Sequence, residues 1–268
     1  MYLVFSMKAL ILIFFYFVGF VGNAQDKTVL SVMEKTPLSA ETFIGIDSYG
    51  DIYYLKNRTL FKQSKTGTFN FKDFQLGKIG NVDLLNPLSI TVYYPDYSIA
   101  VILDNKLNEI QRISFALEPP FMNVVWASTA NDSHLWIFNT DKQQLELFNY
   151  RTGLLQELSR PISETYISQK SNFNFCYVIT EDKVRLYNIY GSLLRSIPNE
   201  RYTNFTEDNN RLLVKKDTSL ILFTDTLKES QTINISEIAI KDLYLREDFL
   251  YIYDGEFIYQ ITLTNQKK

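Results

Sequence analysis

Short runs of Tyr, Ile, Val, Leu and Phe alternate along this chain with turn signals of two to four residues, and beyond the first two dozen residues no stretch sustains a helical period. Paired runs around a short turn read as β-hairpins. Residues 51–56 and 59–64 turn at Asn57-Arg58, and residues 88–94 and 98–103 turn at Pro95-Asp96-Tyr97. Residues 135–139 and 145–149 turn around Asp141-Lys142, and residues 176–180 and 184–188 at Glu181-Asp182. Residues 211–215 and 219–223 turn at Lys216-Asp217, and residues 249–253 and 257–261 at Asp254-Gly255. An Asp-Gly pair between apolar runs supplies the positive-φ residues that a tight hairpin needs.

The hairpins recur. A polar residue follows an apolar pair near the end of each second run, at Lys62, Asp104, Asn149, Asn188, Thr224 and Gln260, with spacings of 36 to 45 residues. Each hairpin is preceded by one short strand and, in every unit but the last, followed by another. Four strands in about 40 residues is the period of a β-propeller blade. Six such units fill the chain, and the last one ends on its third strand near Leu263. The missing strand is expected from residues 28–33 (TVLSVM), laid beside residues 257–261 to close the ring and leave no long unpaired edge. The expected fold is all-β: a six-bladed propeller of four-stranded blades closed by an N-terminal strand. A β-sandwich or irregular sheet protein is the alternative.

The segments LELFNYRTGLLQEL (145–158) and VRLYNIYGSLLRSI (184–197) resemble the third strand, turn and fourth strand of exported bacterial six-bladed propellers with an NHL-like blade pattern. The resemblance spans residues 43–265 at the level of the repeat, without the marks of WD or kelch repeats. It implies the fold and a disk-like contact surface, and transfers no functional residue.

The N-terminus follows other rules. Met7-Lys8 precedes an uncharged run of 14 residues, 9–22, and Gly22-Asn23-Ala24 sets small residues where a signal peptidase reads. That run is short for a membrane span, which takes about 20 residues. Residues 1–24 are therefore read as a signal peptide cleaved after Ala24, leaving 25–268 as one propeller domain, periplasmic or secreted, with no stable transmembrane segment. No Cys stands at the junction for lipid attachment. The GNAQ junction and the Ile, Asn, Lys, Tyr and Phe richness suggest a Gram-negative source.

Composition narrows the chemistry. With 27 Lys+Arg against 30 Asp+Glu the net charge is -3, which gives no electrostatic footprint for nucleic acid. One His and one Cys leave little for triad or thiolate-zinc chemistry. His134 and Cys176 are expected to be structural. Trp126 and Trp136 could line a sugar-binding face but read as core, and residues 206–210 (TEDNN) read as a solvated turn rather than a Ca²⁺ loop. By register, Asp47, Asp83 and Asn123 are expected to face the channel.

The reading that follows is a non-enzymatic scaffold or protein-interaction module of the cell envelope, with no catalytic or metal residues and no cofactor. Its partner is expected to be an envelope or outer-membrane-associated protein, contacted through Arg58, Tyr97 and Lys142 on the shared hairpin-turn face. The alternatives are a Ca²⁺-dependent propeller hydrolase or lactonase, and a carbohydrate- or peptide-binding propeller.

Overall fold

The computed structural model describes residues 31–263 apart from 118, 120, 132, 236 and 237; the leader predicted at 1–24 lies outside the described residues. Among the described residues twenty-four strands form six four-stranded antiparallel sheets. Blade one is β2 (Thr42–Ile46), β3 (Ile52–Lys56), β4 (Thr59–Ser64) and β5 (Gly67–Phe71). Blade two is β6 (Asn81–Asp83), β7 (Ile90–Tyr94), β8 (Ile99–Leu103) and β9 (Glu109–Ser114). Blade three is β10 (Val124–Thr129), β11 (His134–Asn139), β12 (Gln144–Asn149) and β13 (Leu155–Glu157). Blade four is β14 (Tyr166–Ser171), β15 (Phe175–Thr180), β16 (Lys183–Asn188) and β17 (Leu193–Pro198). Blade five is β18 (Thr203–Asp208), β19 (Arg211–Lys216), β20 (Ser219–Thr224) and β21 (Glu229–Asn234). Blade six joins β22 (Asp242–Arg246), β23 (Phe249–Tyr253) and β24 (Phe257–Thr262) to β1 (Ser31–Pro37) from the other end of the chain.

The expected closure is therefore present, with its strand set later along the chain: Lys35 opposes Tyr259 and Pro37 opposes Phe257. The Tyr253 hydroxyl pins the segment that follows, accepting from the Ala40 amide at 3.1 Å and lying 2.7 Å from the Gly255 carbonyl.

Middle strands are apolar on both sides because each blade is sandwiched between two others. β7 and β8 are buried along their whole length. Between successive blades lies a separate apolar core, such as Tyr53 and Leu60 against Val92 and Val101 between blades one and two. The last core sets Phe43 of blade one against Tyr251 and Tyr253 of blade six and closes the ring.

Turns alternate between the two faces of the disk. One face carries the turns from first to second and from third to fourth strand; it is called here the first-turn face. The opposite face carries the second-to-third turns and the connections between blades. The recurring polar residue has a structural cause on the first-turn face. Asp104 accepts from the amides of Lys106 and Asn108, Asn149 from Arg151 and Thr152, and Asn188 from Tyr190 and Ser192. Each carboxylate or amide oxygen closes its own third-to-fourth turn. In blade one that position is Ser64, whose hydroxyl accepts from Thr66, two residues past Lys62.

Candidate functional site

The first strands of the blades line the central channel, and their C-terminal ends meet at the first-turn face. There a cavity of about 200 Å³ is lined by residues of all six blades, among them Ile44, Asp83, Trp126, Lys170, Glu207 and Arg246. The neighbouring Gly45 is required by close approach, because a Cβ there would stand 2.5 Å from the Tyr244 ring.

Each charged group is held differently. Asp83 follows the logic of the other turns, accepting from the Leu85 amide at 2.9 Å and, across to blade three, from the Thr129 amide at 2.6 Å. Glu207 accepts from Asn172 Nδ2 of blade four at 2.6 Å and from the Asn210 amide at 3.1 Å. Asp208 is engaged elsewhere, with Arg211 at 3.3 Å and the Glu247 amide at 2.7 Å. Arg246 donates one N–H to the Ile46 carbonyl at 3.3 Å. The Lys170 ammonium lies 5.2 Å from the Trp126 ring centroid and, among the described residues, forms no ion pair or hydrogen bond. Nearby, Trp126 Nε1 and Gln169 Oε1 are buried without a hydrogen-bond partner.

Burial dominates the electrostatics. Desolvation pushes the Glu207 carboxyl up to about 7, with its neighbours Asp208 and Asp83 adding to the rise and the bonds from Asn172 and Asn210 opposing it. It also raises Asp83, against the pull of the backbone bonds and of Lys170. Lys170 is lowered by the same cause, only partly offset by Asp83. Acids that resist ionisation and an amine that resists protonation thus share one cavity, an arrangement suited to binding polar groups.

Of the three residues expected in the channel, only Asp83 lines this cavity. Asp47 is buried against Lys62 at 3.3 Å, and Asn123 hydrogen-bonds Asp141 at 2.7 Å on the opposite face. Asn123 precedes β10, at the end of the strand away from the cavity, whereas in β2 a bulge between Phe43 and Gly45 shifts the alternation that leads to Asp47; β10, β14 and β18 carry bulges at the same place, between Val124/Trp126, Tyr166/Ser168 and Thr203/Phe205. One extra residue reverses the alternation on which the register rested. Glu207, expected in a solvated turn, sits in the cavity wall, and Thr206 is buried, accepting from the Leu245 amide at 3.0 Å. Among the described residues no three His, Cys, Asp or Glu side chains group closely enough to hold a metal ion.

The other candidates lie elsewhere. His134 is 3.3 Å from both the Asn131 carbonyl and Asn149 Nδ2. Burial raises the Cys176 thiol well above its ordinary range. Trp136 is buried and donates to the Asn172 carbonyl at 2.8 Å, whereas Trp126 lines the cavity. Arg58, Tyr97 and Lys142 stand in second-to-third turns, on the face away from the cavity. Arg58 donates to the Gly77 carbonyl at 2.8 Å, and Lys142 pairs with Glu157 at 2.7 Å and Glu146 at 3.2 Å.

No protein-family profile matches this sequence. No curated protein matches it either. Solved structures do resemble the fold. Virginiamycin B lyase from Staphylococcus aureus aligns with a TM-score of 0.56 at 13% identity, covering 82% of this chain and 79% of that one. BBS1N, solved in complex with ARL6DN, aligns at 0.58 and 12% identity over 90% and 98% of the two chains. The Neurospora crassa Pan2 WD40 domain aligns at 0.54 and 8% identity over 85% and 76%.

At such identities the likeness establishes the fold alone, a six-bladed propeller, and not the NHL-like blade type or a bacterial source. It also corrects one expectation. The chain was read as not being an enzyme because it has one His and one Cys, yet the propellers it resembles include a lyase as well as interaction modules. The fold thus does not by itself decide between catalysis and binding.

Proposed function

We propose that this protein binds a small polar molecule in the channel mouth on the first-turn face. The observation that carries this reading is the cavity in which Lys170, Asp83 and Glu207 are desolvated together while Lys170 touches no carboxylate. All three side chains are half-buried, and a partly desolvated charge gains from a contact partner. The volume of about 200 Å³ lies below the range of about 300–1,000 Å³ typical of drug-sized ligands, which limits the occupant to a small molecule.

The test is a thermal-shift screen of amino acids, organic acids and monosaccharides against the protein and against Ser128→Phe and Ser171→Phe, which fill the cavity. A compound that raises Tm in the parent and in neither folded variant is the expected result. A shift that survives both substitutions, or none across the screen, would overturn the reading.

A second reading concerns the opposite face and is favoured by its exposed aromatic side chains. Arg58 stacks 5.6 Å from the Phe74 ring, and Tyr97 (54% exposed) and Phe121 (69% exposed) are solvent-facing. It supports docking of an envelope protein, in keeping with export of residues 25–268 to the periplasm or the medium. Mass spectrometry of the exported form should give Gln25 as its first residue. Amide-exchange protection by a candidate outer-membrane-associated protein should center on residues 95–98 and be lost in Tyr97→Ser/Phe121→Ser; protection confined to the cavity face would refute this docking mode.

A further inference from the structure

Resting on the channel-ligand reading, the balance of charge in the cavity identifies the class of ligand. Asp208 is already paired with Arg211 and the Glu247 amide. That leaves Asp83 and Glu207 against Lys170 and Arg246, two acids and two bases. They come from different blades: the acids from blades two and five, on opposite sides of the axis, and the bases from blades four and six, which flank blade five. Among the described residues none of these four forms an ion pair with another.

A dianion would find two acids to repel it, and a dication would find two bases. A neutral polyol would bring no counter-charge to any of the four. A molecule carrying one charge of each sign places a partner on each and restores what burial removed. We propose that the ligand is a small zwitterion, an amino acid in the broad sense, with its carboxylate on Lys170 and Arg246 and its ammonium on Glu207 and Asp83. The cation–π contact with Trp126 holds the Lys170 ammonium at the wall rather than across the space. A cavity of about 200 Å³ holds the equivalent of roughly seven waters, enough for a molecule of that size.

Protons report the sign of the bound groups. The titratable and charged side chains around the cavity are Asp83 on β6, Lys170 on β14, Glu207 and Asp208 on β18, and Tyr244 and Arg246 on β22. An ammonium placed on Glu207 favours its ionised form. Below about pH 7 binding must therefore expel a proton, and affinity should weaken as the pH falls.

The experiment is calorimetric titration with glycine, β-alanine and 4-aminobutyrate, alongside succinate, 1,4-diaminobutane and erythritol, while Trp126 emission is followed in Trp136→Phe. At least one of the three zwitterions should bind tenfold or more tighter than the dianion, the dication or the polyol. At pH 6 its binding should release protons, measured in buffers of different ionisation enthalpy. Lys170→Met and Glu207→Gln should each weaken the zwitterion tenfold or more, and Lys170→Met should narrow the gap to the diamine. Tighter binding of succinate, diamine or erythritol, with a change in Trp126 emission, overturns the zwitterion and leaves the channel site standing. No binding and no change in emission with any probe overturns both.

Discussion

Two lysines in this propeller sit in the same way against an aromatic ring and in opposite ways against acids. Lys62 of blade one lies 5.2 Å from the Tyr53 centroid, and Lys170 of blade four lies 5.2 Å from that of Trp126. Lys62 also contacts Asp51 at 3.0 Å, Asp47 at 3.3 Å and the Asn105 carbonyl of blade two at 3.1 Å. Asp47 is itself saturated by the amides of Tyr49 and Asp51 and by the Tyr53 hydroxyl. The Lys170 ammonium has the ring and no acid within contact. The first arrangement is a closed network that joins two blades, and the second leaves its charges apart around a space. Lys62 and Asp47 are buried and paired, whereas Asp83, Lys170, Glu207 and Arg246 are half-buried around the cavity and, among the described residues, form no ion pair with one another.

Removing a partner tests the contrast most strongly at Lys62. Lys62→Met strands Asp47 and Asp51 and should cost about 3–5 kcal/mol in urea unfolding; a loss below about 1 kcal/mol would show the network to be dispensable. Glu207→Gln should act only above a certain pH. The native carboxyl is raised from 4.5 to about 7, so the native state holds its proton more tightly than the unfolded chain does. The relative stability this confers is complete below about pH 4.5 and lost as the pH rises through 7. The variant should therefore match the parent at pH 4 and exceed it by roughly 3 kcal/mol at pH 8. Equal pH profiles for the two proteins would contradict the placement of Glu207. The smallest effect belongs to Lys170→Met, which removes a charge with no contact partner. Its stability should stay within about 1 kcal/mol of the parent, on the stabilising side, and a large loss would mean that Lys170 is as structural as Lys62.

Most of the fold was legible because a propeller repeats one local solution. The hairpins at Asn57-Arg58, Asp141-Lys142 and Asp254-Gly255 fall between β3 and β4, β11 and β12, and β23 and β24. The polar marks at Asp104, Asn149 and Asn188 proved to be turn-closing side chains. Lys62 imitated such a mark for a different reason, as a buried polar member of a network inside β4, and set the phase of blade one two residues early.

The site was much less legible. Alternation predicts a face only where a strand is regular, and the bulges that open β2, β10, β14 and β18 broke that rule at the strands lining the channel. β6 has no such bulge, and there Asp83 was found. Lys170 in YISQKS left a usable signal: a lone charge near the end of a strand that packs at the axis of the ring. Glu207 was masked by its neighbours Asp208, Asn209 and Asn210, which make the segment look like an ordinary turn.

The β1–β24 pairing has a consequence for how the protein is made. Thr36 finds its partner in Ile258, more than two hundred residues later in the sequence. Blades one to five precede β24 in sequence, so β1 has no strand partner during synthesis until residues 257–262 have left the ribosome. Loop closure on this scale slows folding. A stalled or truncated product lacking β24 would keep both a free strand and an uncovered blade edge, the surfaces that chaperones and neighbouring chains capture.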